Sequence, residues 1–318
     1  MLSDFIEYGM IFRQSSNLGQ SFTPGYKELF ESFLVHLKRR NMAEGSIKSW
    51  RSRLFKLEHF LVDSGVQKFS DVTLTVLNRY IETLAGYSTT TVSEIIRELR
   101  YLCDYALENG FHTETFSSAM PHVKNIRQQR LPSVFTPNET SRILASVDRS
   151  SPLGKRNYAM ILLAARLGLR ISDIRSLEFS SIDWAKKTIA IIQQKTGKPL
   201  ELPLLDDVGW SIIDYLKHGR PESDSPKVFI RHSPPFDELS SSSNLVVQQM
   251  RKAGIESPAN RRIGMHSLRH GLASAMLEKG IPLPVISHTL GHADINSTEV
   301  YLRIDLNQLR KCALEVEL

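Results

Sequence analysis

Apolar residues recur at three- and four-residue spacing through two long blocks of this chain, and an aperiodic basic stretch separates the blocks. That spacing lays apolar side chains along one helix face, so both blocks are committed to mainly helical folds. In the first block Phe30, Phe33, Leu34 and Leu37 form a stripe beginning near Tyr26. Trp50, Leu54, Leu57, Phe60 and Leu61 form a second within residues 45–63, whose other face carries Lys48, Arg51, Arg53 and Lys56. Further helices are predicted over residues 74–84 and 91–108, the last ended by Asn109-Gly110. Four helices with short connections make a compact domain over residues 24–112, preceded by a short arm at 1–23.

Residues 111–135 lose the periodicity, and the linker is placed at 113–133. Its basic run includes Arg127 and Arg130. Such a run is either a solvated tether or a phosphate-contacting segment. On the second reading Arg127 and Arg130 join Lys48 and Arg51 as candidate DNA contacts. The second block, 134–305, opens with Thr136-Pro137-Asn138-Glu139. An N-cap Thr, a Pro at the first helical position and a Glu three residues after the cap are a strong helix start. A buried helix is predicted over 156–167. Two β-like segments, 188–192 and 199–204, flank Lys195-Thr196-Gly197-Lys198, a hairpin signal. Helices follow over 207–218, 240–253, 266–279, 283–289 and 297–303, with an amphipathic tail at 306–318. The expected fold class is mainly α: a four-helix domain, then a mostly helical domain with one small antiparallel sheet.

Composition narrows the function classes without choosing one. Over 318 residues, 41% are hydrophobic and 23% charged, which is ordinary globular usage. The net charge of +6 permits a nucleic-acid partner and does not require one. Two cysteines far apart, Cys103 and Cys312, make neither a disulfide framework nor a zinc site, which fits a reducing, cytoplasmic compartment. No apolar run approaches the ~20 residues of a membrane span. The first residues lack the basic and apolar regions of a signal peptide. No glycine-rich phosphate loop and no Gly-x-Ser-x-Gly elbow occurs. His266 and His270 stand at a helical i, i+4 spacing that invites a zinc reading. The general-base Glu of a zinc-protease motif is absent, and Arg269 lies between the two, so no metal site is expected.

Another set of polar residues suits a phosphate diester. Arg170 follows the most apolar helix, and Lys195 sits on the hairpin. His266 and Arg269 lie one turn apart on a helix. His292 follows Leu290-Gly291, and Tyr301 lies nine residues further on. Taken singly each is ordinary: a capping arginine, a solvated lysine, a packed tyrosine. Together they hold what phosphoryl chemistry asks for. Arginine binds nonbridging oxygens and stabilises charge developing at phosphorus. Tyrosine can attack as a nucleophile, with histidine or lysine moving protons.

The ordered wording goes further. Ala165-Arg-Leu-Gly-Leu-Arg-Ile-Ser-Asp173, Gln194-Lys-Thr-Gly-Lys198, His266-Ser-Leu-Arg-His270, and Leu290-Gly-His292 with Tyr301 resemble the tyrosine recombinase (phage integrase) family, over about residues 26–306. The resemblance implies that the four-helix block is a SAM-like core-binding domain and the second block the catalytic domain. It implies that Arg170 and Arg269 clamp the scissile phosphate and that Tyr301 is the nucleophile. Lys195 matches the general acid for the leaving 5′-oxygen, with Lys198 as its rival. His266 matches a general base or proton relay, and His292 a position that hydrogen-bonds the phosphate. Asp173 and His270 match supporting positions. The implied product is a 3′-phosphotyrosine, formed without cofactor or metal. The implied partners are double-stranded DNA, a homo-tetramer in synapsis, and in some systems an accessory protein or partner recombinase. The short leader favours a two-domain enzyme of the Xer type or from a mobile element, one that integrates and excises an element or resolves DNA multimers. The tail at 306–318 is a candidate for packing on a neighbouring protomer or on its own domain. The alternatives are a nicking-closing enzyme like a type IB topoisomerase and a DNA-binding protein without catalysis.

Overall fold

The computed structural model describes residues 21–123, 133–239, 244–256 and 263–291. The chain divides into two compact units, Met1–Arg127 and Gln128–Leu318.

In the first unit the helices are α1 (Pro24–Arg39), α2 (Glu44–Asp63), α3 (Leu74–Glu82) and α4 (Thr89–Glu108). The predicted stripes are the buried ones. Phe30, Phe33, Leu34 and Leu37 of α1 and Trp50, Leu54, Leu57 and Leu61 of α2 face a common core, with Phe60 half-buried at its edge. Phe33 sits at its centre, its ring 5.2 Å from Trp50, 5.4 Å from Tyr101 and 5.1 Å from Tyr105. Two boundaries differ from the periodic reading. Helix α4 begins two residues early because the Ser88 hydroxyl accepts from the Thr91 N–H at 3.2 Å and caps it. Helix α3 stops at Glu82, and residues 83–86 continue as a 3₁₀ turn.

The second unit contains α5 (Pro137–Ala145), α6 (Pro152–Leu167), α7 (Ile171–Ser176), β1 (Ile182–Asp183), β2 (Thr188–Ile192), β3 (Pro199–Pro203), α8 (Asp206–His218), α9 (Leu245–Lys252), α10 (Met265–Glu278) and α11 (Leu283–Leu290). The capping box at Thr136 and Glu139 forms with both of its bonds. Helix α6 is the spine of the unit: Ala159 through Ala164 are at most 3% exposed, and α8 and α10 pack on it. It starts at Pro152 rather than near 156, because Ser151 caps it and Pro152 fills the first helical position. The strands form an antiparallel sheet in the order β1-β2-β3, with Thr188 opposite Pro203 and Ile192 opposite Pro199. Two elements escaped the periodic reading. Helix α7 is six residues long and β1 only two, too short for either period to register. The expected helix at 297–303, the tail at 306–318 and residues 240–243 lie outside the described residues. Among the described residues no helix is long and apolar enough to cross a membrane.

Candidate active site

Helix α6 ends on Gly168, whose φ of 64° lies in the left-handed region. The chain then turns through buried Leu169 to Arg170, which stands at the head of α7. A side chain at Gly168 would meet Leu290 at 2.6 Å and Leu272 at 3.2 Å, so α11 and α10 close directly over this turn. Arg269 of α10 locks the same junction. It is 1% exposed, Nη1 donates to the Gly168 carbonyl at 2.6 Å, and Nη2 donates to the Leu290 carbonyl at 2.6 Å. One guanidinium thus joins the C-terminal turns of α6 and α11, more than 100 residues apart in sequence.

Arg170 lies beside that junction with its side chain 13% exposed. Its Nη2 donates to the Gly291 carbonyl at 3.4 Å, and Nη1 lies 3.9 Å from Asp173 Oδ2. In the amide orientation that satisfies its neighbours, Gln193 Oε1 accepts from Arg170 Nη1 at 2.9 Å. Asp173 is fully buried, and its Oδ1 accepts from the Gln194 N–H at 2.9 Å. The carboxylate therefore binds the strand that delivers Lys195.

Lys195 and Lys198 are exposed on the β2–β3 turn. The turn closes through the Gln193 N–H to the Lys198 carbonyl at 2.9 Å and the Gly197 N–H to the Gln193 carbonyl at 2.8 Å. Gly197 takes φ 66°, which a bulkier residue adopts only with strain.

His266 lies in the first turn of α10, its ring 4.3 Å from that of His270 in an edge-to-face contact. Desolvation, then the positive charges of Arg269, Arg170 and Lys195, lowers its pKa to about 4. The residue keeps an exposed side, so the three cations are the part of this shift that an arriving anion would offset. Near neutral pH the imidazole is uncharged and can accept a proton.

The structure therefore brings Arg170, Asp173, Lys195, His266, Arg269 and His270 onto α7 and its N-cap, α10 and the hairpin of one unit. His292, Tyr301, Arg127 and Arg130 lie outside the described residues. In the first unit Lys48 is exposed and pairs with Glu44 at 3.5 Å. Arg51 is bound by both carboxylate oxygens of Glu31, at 2.7 and 3.1 Å, and its guanidinium lies 5.0 Å from the Phe22 ring centre and 5.7 Å from that of Phe55. Arg51 is thus built into its own unit. Gln193 is the residue that the sequence reading passed over. The signal was present, since alternation along β2 turns Ile189 inward and predicts the same for Gln193. Among the described residues no group of three or more His, Cys, Asp or Glu side chains could hold a metal ion.

The phage integrase family model matches residues 133–308, more than half of the chain, and the phage integrase SAM-like domain matches residues 27–119. The chain belongs to the phage integrase family. Among its relatives, the "Putative integrase/recombinase y4rA" of Sinorhizobium fredii is 41% identical over 219 residues, 68% of this chain and 52% of that protein. The chain thus spans about half the length of that relative. The tyrosine recombinase XerD of Yersinia pestis is 28% identical over 300 residues, covering 89% of this chain and 95% of XerD. Among solved structures, a lambda integrase (residues 75–356) dimer bound to a COC′ core site superposes with a TM-score of 0.66 at 18% identity, over 92% of this chain and 98% of that one. The fold is that of the tyrosine recombinases, with a SAM-like helical domain followed by a mainly helical integrase domain holding a three-stranded antiparallel sheet.

Proposed function

We propose that this protein is a site-specific DNA recombinase that cuts and rejoins duplex DNA through a 3′-phosphotyrosyl bond. The observation that carries the reading is the convergence of Arg170, Arg269, His266 and the Lys195 hairpin around one junction, with His266 held neutral by desolvation and then by the cations beside it. Arg170 and Arg269 are assigned to the nonbridging oxygens of the scissile phosphate, where fixed guanidinium groups stabilise charge that grows in the transition state. The Tyr301 oxygen attacks phosphorus, and the bond to the 5′-oxygen breaks. His266 takes the tyrosine proton, directly or through His292, and Lys195 gives one to the leaving oxygen. The phosphate charge offsets the cations around His266 and raises its basicity when substrate arrives. The phosphotyrosine retains the bond energy, so resealing is the reverse attack by a 5′-hydroxyl.

The SAM-like domain at 24–112 and the catalytic domain at 134–305, joined by the 113–133 linker, are both assigned to duplex DNA. Lys48, Arg51, Lys198, Arg127 and Arg130 are assigned to backbone phosphates. Exchange between two duplexes cuts four strands, so the assembled form is a homo-tetramer, or one that includes a partner recombinase. The family relationship and the match to XerD over 95% of its length support this reading. The test is covalent trapping on nicked duplexes. Wild-type protein should form a protein–DNA adduct that protease digests, with EDTA present. Tyr301→Phe should bind DNA with unchanged affinity and form no adduct. An adduct from Tyr301→Phe would assign the nucleophile elsewhere, with Tyr158 the first candidate. Lys195→Ala should cleave a 5′-bridging phosphorothiolate nearly as well as wild type, because a sulfur leaving group needs no proton, while Lys198→Ala should mainly weaken binding.

A further inference from the structure

Gln193 immediately follows β2 and leads into the Lys195 turn, and it is 1% exposed. An amide carries donors on one side and an acceptor on the other. Here both sides are directed at parts of the site. Oε1 accepts from Arg170 Nη1 at 2.9 Å, while Nε2 donates to the Gly291 carbonyl at 2.7 Å and to Thr196 Oγ1 at 2.8 Å. Thr196 follows Lys195, and Gly291 immediately precedes His292. The fit at Gly291 is close: with φ 60°, a side chain there would lie 2.3 to 2.7 Å from the Gln193 amide atoms. One buried side chain therefore touches the α6–α7 turn, the hairpin and the end of α11.

We propose that Gln193 is a positioning residue that aims Arg170 at the scissile phosphate and holds the Lys195 turn and the Gly291 turn in a single arrangement. The proposal rests on Arg170 being a phosphate ligand. The chemistry of the side chain explains why an amide serves where a carboxylate would not. A carboxylate at this distance would pair with Arg170 and spend its charge on the protein instead of the phosphate. It would also set oxygen against the Gly291 carbonyl, where a donor is needed. Asp173 already lies on another side of Arg170, at 3.9 Å, with its other oxygen committed to the Gln194 N–H. The neutral amide orients the guanidinium and leaves its charge whole. A carboxyl has at most one donor where the amide has two, and beside Arg170 it stays ionised, so Gln193→Glu should lose both bonds from Nε2.

The experiment uses full-length protein and nicked duplexes recovered from a randomised pool by covalent capture on the wild type. Cleavage is followed in single turnover at saturating protein, and affinity is measured separately. Gln193→Leu should cleave about 10- to 100-fold more slowly, with affinity changed by less than about threefold. Its loss, like that of Arg170→Ala, should shrink on a methylphosphonate substrate, which lacks the nonbridging charge that Arg170 meets. Gln193→Glu should be slow both at about pH 8 and at about pH 6, because the cation beside it keeps the carboxylate charged. Wild-type rates from Gln193→Leu, with Arg170→Ala inactive, would overturn the proposal and leave the active site standing. Full activity of Arg170→Ala would remove both. If Gln193→Leu fails to fold, Gln193→Glu decides, and a wild-type cleavage rate from it overturns the proposal.

Discussion

The two units of this chain are stabilised in different ways. In the first, neighbouring helices bring aromatic stripes together, and Phe33, Trp50, Tyr101 and Tyr105 meet in a core whose pieces are each visible in local sequence. In the second, α6 supplies an equally apolar spine, but the junction above it is tied by buried polar side chains. Arg269 reaches Gly168 and Leu290, Asp173 reaches Gln194, and Gln193 reaches Arg170 and Gly291. Apolar packing tolerates small shifts, because attraction is shared over many contacts. A buried polar bond does not, since a misplaced donor leaves a desolvated group unmet. A unit that must hold two arginines in fixed directions is better served by the second kind of bond.

If this distinction holds, truncation should act differently in the two units. Phe33→Ala removes a fully buried ring and should lower the stability of the first unit by about 3–5 kcal/mol, read by thermal or denaturant unfolding. Phe33→Leu should recover most of it, because apolar volume is what the site needs. The corresponding pair in the second unit is Arg269→Ala and Arg269→Lys. Arg269→Ala strands two buried carbonyls and should cost about 2–4 kcal/mol. Arg269→Lys should recover little, because one ammonium cannot reproduce two diverging bonds from a planar group. Recovery by lysine as complete as that of leucine at Phe33 would erase the distinction. A smaller effect of the same kind is expected at Gly168→Ala. Left-handed backbone together with the 2.6 Å approach of Leu290 should cost about 1–2 kcal/mol and slow cleavage, as the Arg170 turn is displaced.

The same contrast governs how much could be read in advance. The four helices of the first unit were legible because periodicity and the Asn109-Gly110 stop are local signals. The fold class and the hairpin of the second unit were legible for the same reason, as was the capping box at Thr136. Arg170, Lys195, His266 and Arg269 stood out through the order of short motifs. What the sequence did not convey were contacts across more than 100 residues. Nothing around Gly168 announces that its carbonyl receives Arg269. Nothing in Arg51 announces Glu31, or the rings of Phe22 and Phe55 beside its guanidinium. Alternation along β2 predicts that Gln193 turns inward, but a lone glutamine just past a strand carries no mark of the partners its amide will meet.

Acidity offers the finest test of the comparison, because buried groups that titrate on the acid side are shifted in opposite senses, His232 and His266 downward and Glu98 upward. In the second unit, desolvation and then Arg156 lower His232 to about 4, and His266 falls to about 4 for the reasons given above. The unfolded chain takes up these protons near the usual histidine value of 6.5, while the folded unit refuses them until about 4. The contribution is therefore fully present above pH 6.5 and is lost as the pH falls from 6.5 towards 4. In the first unit, burial raises the pKa of Glu98 despite its bond to Arg53, and Glu98 Oε2 is buried without a hydrogen-bond partner. The folded unit there holds a proton more readily than the unfolded chain, so its stability rises as the pH falls into the carboxylate range. Hydrogen–deuterium exchange at pH 7 and pH 5, resolved by peptide, should show protection falling more in α6, α8 and α10 than in α1, α2 and α4. His232→Asn should reduce the loss in the second unit, and Glu98→Gln should reduce the pH dependence of the first. Equal loss in both units would mean that acidity acts through the overall charge of the chain rather than through these buried groups.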